Sequence, residues 1–208
     1  MNRRQHLLLL VLVAGTAALR APAAEPKPLL VVSSTPDLDS LARAIGGPRV
    51  TAYCLSSGPQ DPHEIELTPG HVRALNRADL FLQAGLGIEN AWLEKLFASV
   101  RNDAVRPGGP GNLNLGRGVR LLEGEEVAGI PGSFHEEGNP HYLLDPLEGL
   151  RVAGEIRDQL GALRPEWQAE FAQRYAAFRL ALGTWLVGEE CAKNDDFAAL
   201  ARQFEQAR

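Results

Sequence analysis

Two histidines of this chain lie in settings that suit metal chemistry. His63 follows a proline in Asp61-Pro62-His63-Glu64, and His141 follows a proline in Asn139-Pro140-His141-Tyr142. Proline holds the residue before it in an extended conformation, so both histidines are expected in loops with rigid neighbours. Neutral imidazole nitrogens bind zinc and other transition ions, and added carboxylates shift the preference towards manganese. Both are therefore candidate metal ligands, and the alternative is a histidine satisfied by structural hydrogen bonds.

Other polar side chains near these histidines could extend such a site. His135, followed by Glu136 and Glu137, is close enough in sequence to bend towards His141, and the alternative is a solvated acidic loop. Glu64 could be an additional ligand or an acceptor that orients the His63 ring, or it could simply be exposed. The remaining histidine of the mature chain, His71, is predicted to be an ordinary surface residue.

The elements that must position these loops alternate between strand and helix. Apolar runs and periodicity predict strands at residues 28–33, 50–55 and 80–84 and helices at residues 38–45, 68–77 and 88–100. Thr68 and Pro69 mark the second helix start, as an N-cap followed by proline. Strands apolar on both faces that alternate with helices indicate a doubly wound parallel α/β sheet. His63 then leaves the carboxyl end of the second strand, the edge where such sheets bind ligands.

The second half of the chain is predicted to be mainly helical. Residues 112–115 and 119–122 form a weaker fourth strand and its continuation, which completes an amino-terminal lobe over residues 25–145. From Asp145-Pro146 an apolar stripe at helical spacing runs past Pro165 to Leu186. At 1.5 Å per residue the segment from 146 to 188 would exceed one lobe, so it is interpreted as a helix connecting two lobes. Residues 189–208 would begin a second lobe that is largely absent.

The amino terminus indicates export. Arg3 and Arg4 precede an apolar stretch of about a dozen residues and a small-residue site at 21–24, which is typical of a cleaved signal peptide over residues 1–24 and too short to span a bilayer. The paired arginines leave twin-arginine export open beside the general route. No cysteine lies near the cleavage point, so a lipid anchor is not expected. The mature protein is predicted to be soluble and periplasmic.

Net charge limits the possible partners, and the positions of the two cysteines predict the state of their thiols. Cleavage removes three arginines and no acidic residue, which changes the net charge from -5 to -8. An acidic chain argues against nucleic acid and anionic membrane as partners. Cys54 and Cys191 would be in an oxidising compartment but are predicted in different lobes, so two largely buried, unpaired thiols are expected.

Several motifs resemble, in order and spacing, the zinc/manganese receptor proteins of bacterial ABC importers. These are Asp61-Pro62-His63-Glu64, Thr68-Pro69, residues 75–80, Gly85-Leu86-Gly87-Ile88-Glu89, Trp92-Leu93, Asn139-Pro140-His141-Tyr142 and Leu144-Asp145-Pro146. The resemblance implies that His63 and His141 bind a transported zinc or manganese ion and that a membrane permease is the partner. The chain also resembles that family in carrying His135 in an acidic loop shortly before His141. In that family a second lobe supplies two further ligands, and this sequence ends before such positions, so truncation is expected.

Two other classes of protein remain to be weighed. A metallohydrolase would show a His-Glu-x-x-His pair, and His135-Glu136 has no histidine at the required position. The chain is therefore predicted not to be an enzyme. A surface adhesion or interaction protein on the same fold would tolerate loss of both histidines, and a non-functional truncated fragment is a further alternative.

Overall fold

The computed structural model describes residues 26–56, 58–119, 138–193 and 199. It contains four parallel strands: β1 (Leu29–Ser33), β2 (Val50–Cys54), β3 (Leu80–Gln83) and β4 (Asn112–Asn114). The helices are α1 (Pro36–Gly46), α2 (Pro69–Arg77), α3 (Leu93–Ser99), α4 (Pro146–Leu163), α5 (Gln168–Val187) and α6 (Glu189–Lys193). The predicted signal peptide, the acidic loop with His135 and most of the last predicted helix lie outside the described residues.

The sheet has the order β2-β1-β3-β4, and every neighbouring pair is parallel. One apolar core lies between the sheet and α1, α4 and α5, and a second lies between the sheet and α2 and α3. Helices thus cover both faces, which confirms the predicted doubly wound α/β lobe. The central strands β1 and β3 are buried as expected, but β2 alternates between half-buried and exposed residues because it forms an edge of the sheet.

Local signals place most helix starts correctly. Thr68 and Asp145 precede prolines and act as N-caps, and the Asp145 carboxylate accepts a hydrogen bond of 2.8 Å from the backbone N–H of Leu147. The third predicted helix is too long, since residues 88–92 form turns and α3 begins only at Leu93. The cause is the preceding loop, in which Gly85, Leu86 and Gly87 all have positive φ.

The segment predicted as one connecting helix is two helices. The helical run ends at Leu163, and a short 3-10 turn at Pro165–Trp167 separates α4 from α5. Two contacts between α4 and α5 show that the chain reverses its direction here. Gly161 lies against Gln168 next to the turn, and Gly154 lies against Tyr175 further from it. The two helices therefore pack on the same lobe, and α5 does not extend α4 away from it.

Two further features concern the described part of the chain. None of its helices combines the length and apolar character that a membrane crossing requires. Both cysteines are free thiols there, and they are half-buried, more exposed than the largely buried thiols that the sequence predicts.

His71 is buried, which corrects its prediction as a surface residue. Its side chain is only 8% exposed, because it faces back over the start of α2. The Thr68 hydroxyl accepts from the His71 backbone N–H at 3.4 Å, and His71 Nδ1 accepts from the Thr68 N–H at 3.4 Å. This reciprocal capping box requires an unprotonated Nδ1, so His71 stabilises the helix start in its neutral form.

Acidification should destabilise the lobe through His71. Burial lowers the pKa of His71 below its ordinary 6.5, so the unfolded chain takes up this proton at higher pH than the folded chain. The contribution is complete above pH 6.5 and is lost as the pH falls through the lowered pKa. Urea unfolding at about pH 7.5 and at about pH 5.5 measures this loss. Between these two pH values the free energy of unfolding should fall less for His71→Gln, which keeps an acceptor for the cap, than for the unmodified protein. Equal losses for both proteins would contradict this role.

Candidate metal centre

The carboxyl ends of the strands meet at one edge of the sheet and open into a cleft. His141 lines this cleft together with Thr35 after β1, Ser56 after β2 and Ala84 after β3. Strand β2 lies on one side of β1 in the sheet, and β3 and β4 lie on the other side of β1, so the chain changes direction across the sheet after β2. Such a change of direction leaves a crevice at the carboxyl edge, where doubly wound proteins bind their ligands.

The two candidate histidines come together at this edge. The ring centroids of His63 and His141 are 5.6 Å apart, and the ring planes cross at 63°. Two imidazoles that share a tetrahedral ion, with metal–nitrogen bonds of about 2.0 to 2.1 Å, have ring centres about 5 Å apart. The observed separation therefore lies in the range that a shared ion needs.

Both histidines are presented by the same type of turn. The Asp61 carboxylate accepts from the His63 backbone N–H at 2.9 Å, and the Asn139 side-chain oxygen accepts from the His141 N–H at 2.9 Å. In each case a proline separates the acceptor from the histidine. The backbone is therefore fixed both by the proline ring and by the hydrogen bond to the Asp or Asn side chain. The sequence signal is the repeated Asx-Pro-His triplet, and the turn that it forms was not predicted.

Asp61 also orients the His63 ring. Its Oδ1 lies 2.8 Å from His63 Nδ1, and the two hydrogen bonds to His63 are the main reason that the pKa of Asp61 is lowered. An ionised carboxylate can only accept, so this contact favours the tautomer of a neutral His63 ring that has its proton on Nδ1 and a lone pair on Nε2. Asp61 was missed in the sequence, although an Asx two residues before a histidine is the spacing that such a contact requires.

The other candidate residues are placed differently. Glu64 is exposed, and Asp61 contributes a carboxylate that contacts His63. His135 lies outside the described residues. Within the described ranges, no group of three or more His, Cys, Asp and Glu side chains is arranged to hold a metal ion. The described part of the site is thus a pair of imidazoles with an orienting carboxylate.

Comparison with known proteins decides the family. The profile of the family described as "Zinc-uptake complex component A periplasmic", or ZnuA, matches residues 31–184. The chain belongs to the ZnuA family. This membership confirms the resemblance seen in the sequence, and the match includes both histidine loops and both helices that follow them.

Relatives of this ZnuA-family chain include two proteins of Streptococcus pneumoniae. The manganese ABC transporter substrate-binding lipoprotein PsaA is 30% identical over 155 residues, which are 72% of this chain and 46% of PsaA. The zinc-binding lipoprotein AdcA is 26% identical over 151 residues, which are 72% of this chain and 30% of AdcA. The chain therefore spans about half the length of PsaA. Neither relative is named as an enzyme, and the family is one of receptors, as predicted.

Solved structures agree with the family assignment. A crystal structure of ZnuA has a TM-score of 0.61 and 29% identity, and the match covers 75% of this chain and 55% of that one. A zinc-bound deletion mutant of ZnuA has a TM-score of 0.62, with the same identity and coverage. The described lobe thus has the ZnuA fold over three quarters of the chain.

Proposed function

We propose that this ZnuA-family chain is an extracytoplasmic substrate-binding protein that captures zinc or manganese for an ABC importer, with His63 and His141 as ligands. The observation that carries the proposal is the 5.6 Å between two imidazole rings whose residues are far apart in the sequence. A structural role for either histidine would not require the two rings to meet at the ligand-binding edge of the sheet.

Asp61 supports the same proposal through the tautomer that it selects. Ligating histidines commonly donate their second ring N–H to a carboxylate, which fixes the ring and increases the basicity of the ligating nitrogen. The 2.8 Å contact between Asp61 Oδ1 and His63 Nδ1 has this arrangement, and it directs Nε2 to the ion. Asp61 thus acts on the metal through His63.

The proposed site leaves further coordination positions to other groups. Two imidazoles fill half of a tetrahedral shell, so water or additional ligands complete it. His135 is a proposed additional ligand from the acidic loop, and Glu64, which is exposed and next to His63 in the sequence, is a second one. Two imidazoles alone should bind on the order of micromolar or weaker, because water then completes the shell.

The relatives' names support the partner and the location. PsaA is named an ABC transporter substrate-binding lipoprotein, and the family description places its members in the periplasm. We therefore propose a membrane permease as the partner and the periplasm as the compartment, reached through the predicted signal at residues 1–24. The choice between zinc and manganese follows from the ligands added to the two imidazoles.

Nitrogen-15 NMR of the histidine side chains during a zinc titration tests the proposal. The ring nitrogens of His63 and His141 should shift together as zinc is added, because both change from a lone pair to a metal bond. His71 is the internal control, since its ring is buried against Thr68 and belongs to the helix cap. Absence of zinc binding, or shifts that leave out either proposed ligand, would refute the proposal.

A further inference from the structure

The loop between β3 and α3 contacts both histidine turns. On one side, Tyr142, the residue after His141, is 8% exposed and donates its hydroxyl hydrogen bond to the Ala84 carbonyl at 2.9 Å. Its ring also lies under the Arg151 guanidinium, 5.7 Å from the ring centroid. Tyr142 is therefore fixed at its hydroxyl and across its ring, and this fixes the backbone that presents His141.

On the other side, Trp92 is fixed to the turn that carries His63. Its indole Nε1 donates to the Pro62 carbonyl at 2.9 Å, and its side chain is 2% exposed. Pro62 is the middle residue of the Asp61-Pro62-His63 turn. A buried indole has one donor and a fixed ring plane, so this hydrogen bond determines how far the His63 turn lies from the β3–α3 loop.

The loop that joins these two anchor points is itself held rigidly. The two carboxylate oxygens of Glu89 accept from consecutive backbone N–H groups, at 2.7 Å from Ala84 and 3.0 Å from Gly85. Glu89 is 2% exposed, and burial raises its pKa although these hydrogen bonds oppose the shift. Between the anchors, Leu86 has a φ of 52°, a left-handed conformation that persists only where its surroundings impose it.

We infer that the segment from Ala84 to Trp92 is a spacer that sets the distance between the two metal-binding rings, with Tyr142 and Trp92 as positioning residues. Each acts through one histidine, Tyr142 through His141 and Trp92 through His63. The inference rests on the proposed function, because the separation matters only if both rings bind one ion. A change of about 1 Å in ligand placement is enough to weaken such a site.

Removal of single donors tests the inference without removing the rings. Trp92→Phe deletes the hydrogen bond to Pro62, and Tyr142→Phe deletes the one to Ala84. Each should weaken zinc binding about 10-fold or more, the range seen when outer groups that orient a ligand are lost. Trp167→Phe and Tyr175→Phe are the matched controls, since both lie on the α4–α5 side of the sheet and should keep the affinity of the unmodified protein.

Histidine NMR in the same variants separates positioning from general destabilisation. With zinc present, Trp92→Phe should reduce the shift of His63 more than that of His141, and Tyr142→Phe should do the reverse. In a His63→Ala background, neither Trp92→Phe nor Tyr142→Phe should weaken zinc binding further, because only one of the two rings is left to position. A purely structural role would give equal effects on both rings and in both backgrounds.

The outcomes distinguish this inference from the proposed function. If the unmodified chain fails to bind zinc through the two rings, the proposed function is wrong. If it binds zinc and the two variants match their controls in affinity, or show no crossed pattern in the NMR shifts, the spacer is wrong and the proposed function stands. Thermal unfolding without metal, compared with the controls, shows whether a loss of affinity reflects partial unfolding.

Discussion

Alanine at His63 or His141 should weaken zinc binding on the order of 100-fold or more, above the 10- to 100-fold that follows loss of an outer-shell partner. The reason is that each variant leaves one imidazole, and a single imidazole binds an ion no better than many exposed histidines do. The double variant should show no zinc binding above that of exposed side chains. A competition titration against a chromophoric chelator measures the zinc affinity of the unmodified chain and of each variant.

The control for these variants is His71→Gln, which removes a histidine from the same lobe and keeps an acceptor for the α2 cap. It should bind zinc as the unmodified chain does. If the double variant kept the original affinity, the ion would be held elsewhere and the proposed pair would be wrong. A biological activity that survives in the double variant would favour the adhesion alternative over the receptor.

Phe171→Ala should reduce the free energy of unfolding by about 3 to 5 kcal/mol, the usual effect of emptying a fully buried aromatic site. Phe171 is 0% exposed, lies in the first turn of α5 and packs edge-on against Trp167 at 6.4 Å. Arg49 adds a link to the same region, with a 2.9 Å ion pair to Glu170 and its guanidinium over the Trp167 ring. Urea unfolding without metal measures the loss.

The matched control is Trp185→Ala, near the other end of α5. Trp185 is 80% exposed, so its replacement should change stability by no more than about 0.5 kcal/mol. The contrast tests whether the first half of α5 belongs to the core of the lobe. If Phe171→Ala lost less than about 1 kcal/mol, α5 would be a separable connector, as the sequence had suggested.

The sequence was most informative where one residue type determines the local structure. Thr68-Pro69 and Asp145-Pro146 predicted the starts of α2 and α4, because caps and first-turn prolines act within a few residues. The buried strands β1 and β3 followed from continuous apolar runs. The parallel sheet then followed from the alternation of strands and helices.

The errors arose where distant parts of the chain decide the outcome. The turns that delay α3 until Leu93 depend on the positive φ values of residues 85–87 and on the buried Glu89 carboxylate. The reversal after Leu163 depends on the packing of α4 and α5 against α1, which the helical period does not encode. His71 was misplaced because a histidine in a capping box is rare beside the usual Glu or Gln.

Part of the candidate site was predictable from local sequence signals, and part was not. The two histidine loops could be recognised from their prolines, and the carboxyl edge of the sheet follows from its topology. The meeting of the rings at 5.6 Å could not be derived from local sequence, because the Tyr142–Ala84 and Trp92–Pro62 contacts beside them join segments that are far apart in the chain. Asp61 was within reach of sequence reasoning, since its contact with His63 spans only two residues.

The order of the strands has a consequence for how the chain folds. Every strand pair is parallel, so no pair can form by closing a tight hairpin, and β1 must find β3 across the whole intervening β2–α2 stretch. Tyr142 can dock on Ala84 only after β3 is in place. We therefore expect the imidazoles to meet late, so that a cation in the surroundings cannot act as a template for the early steps of folding.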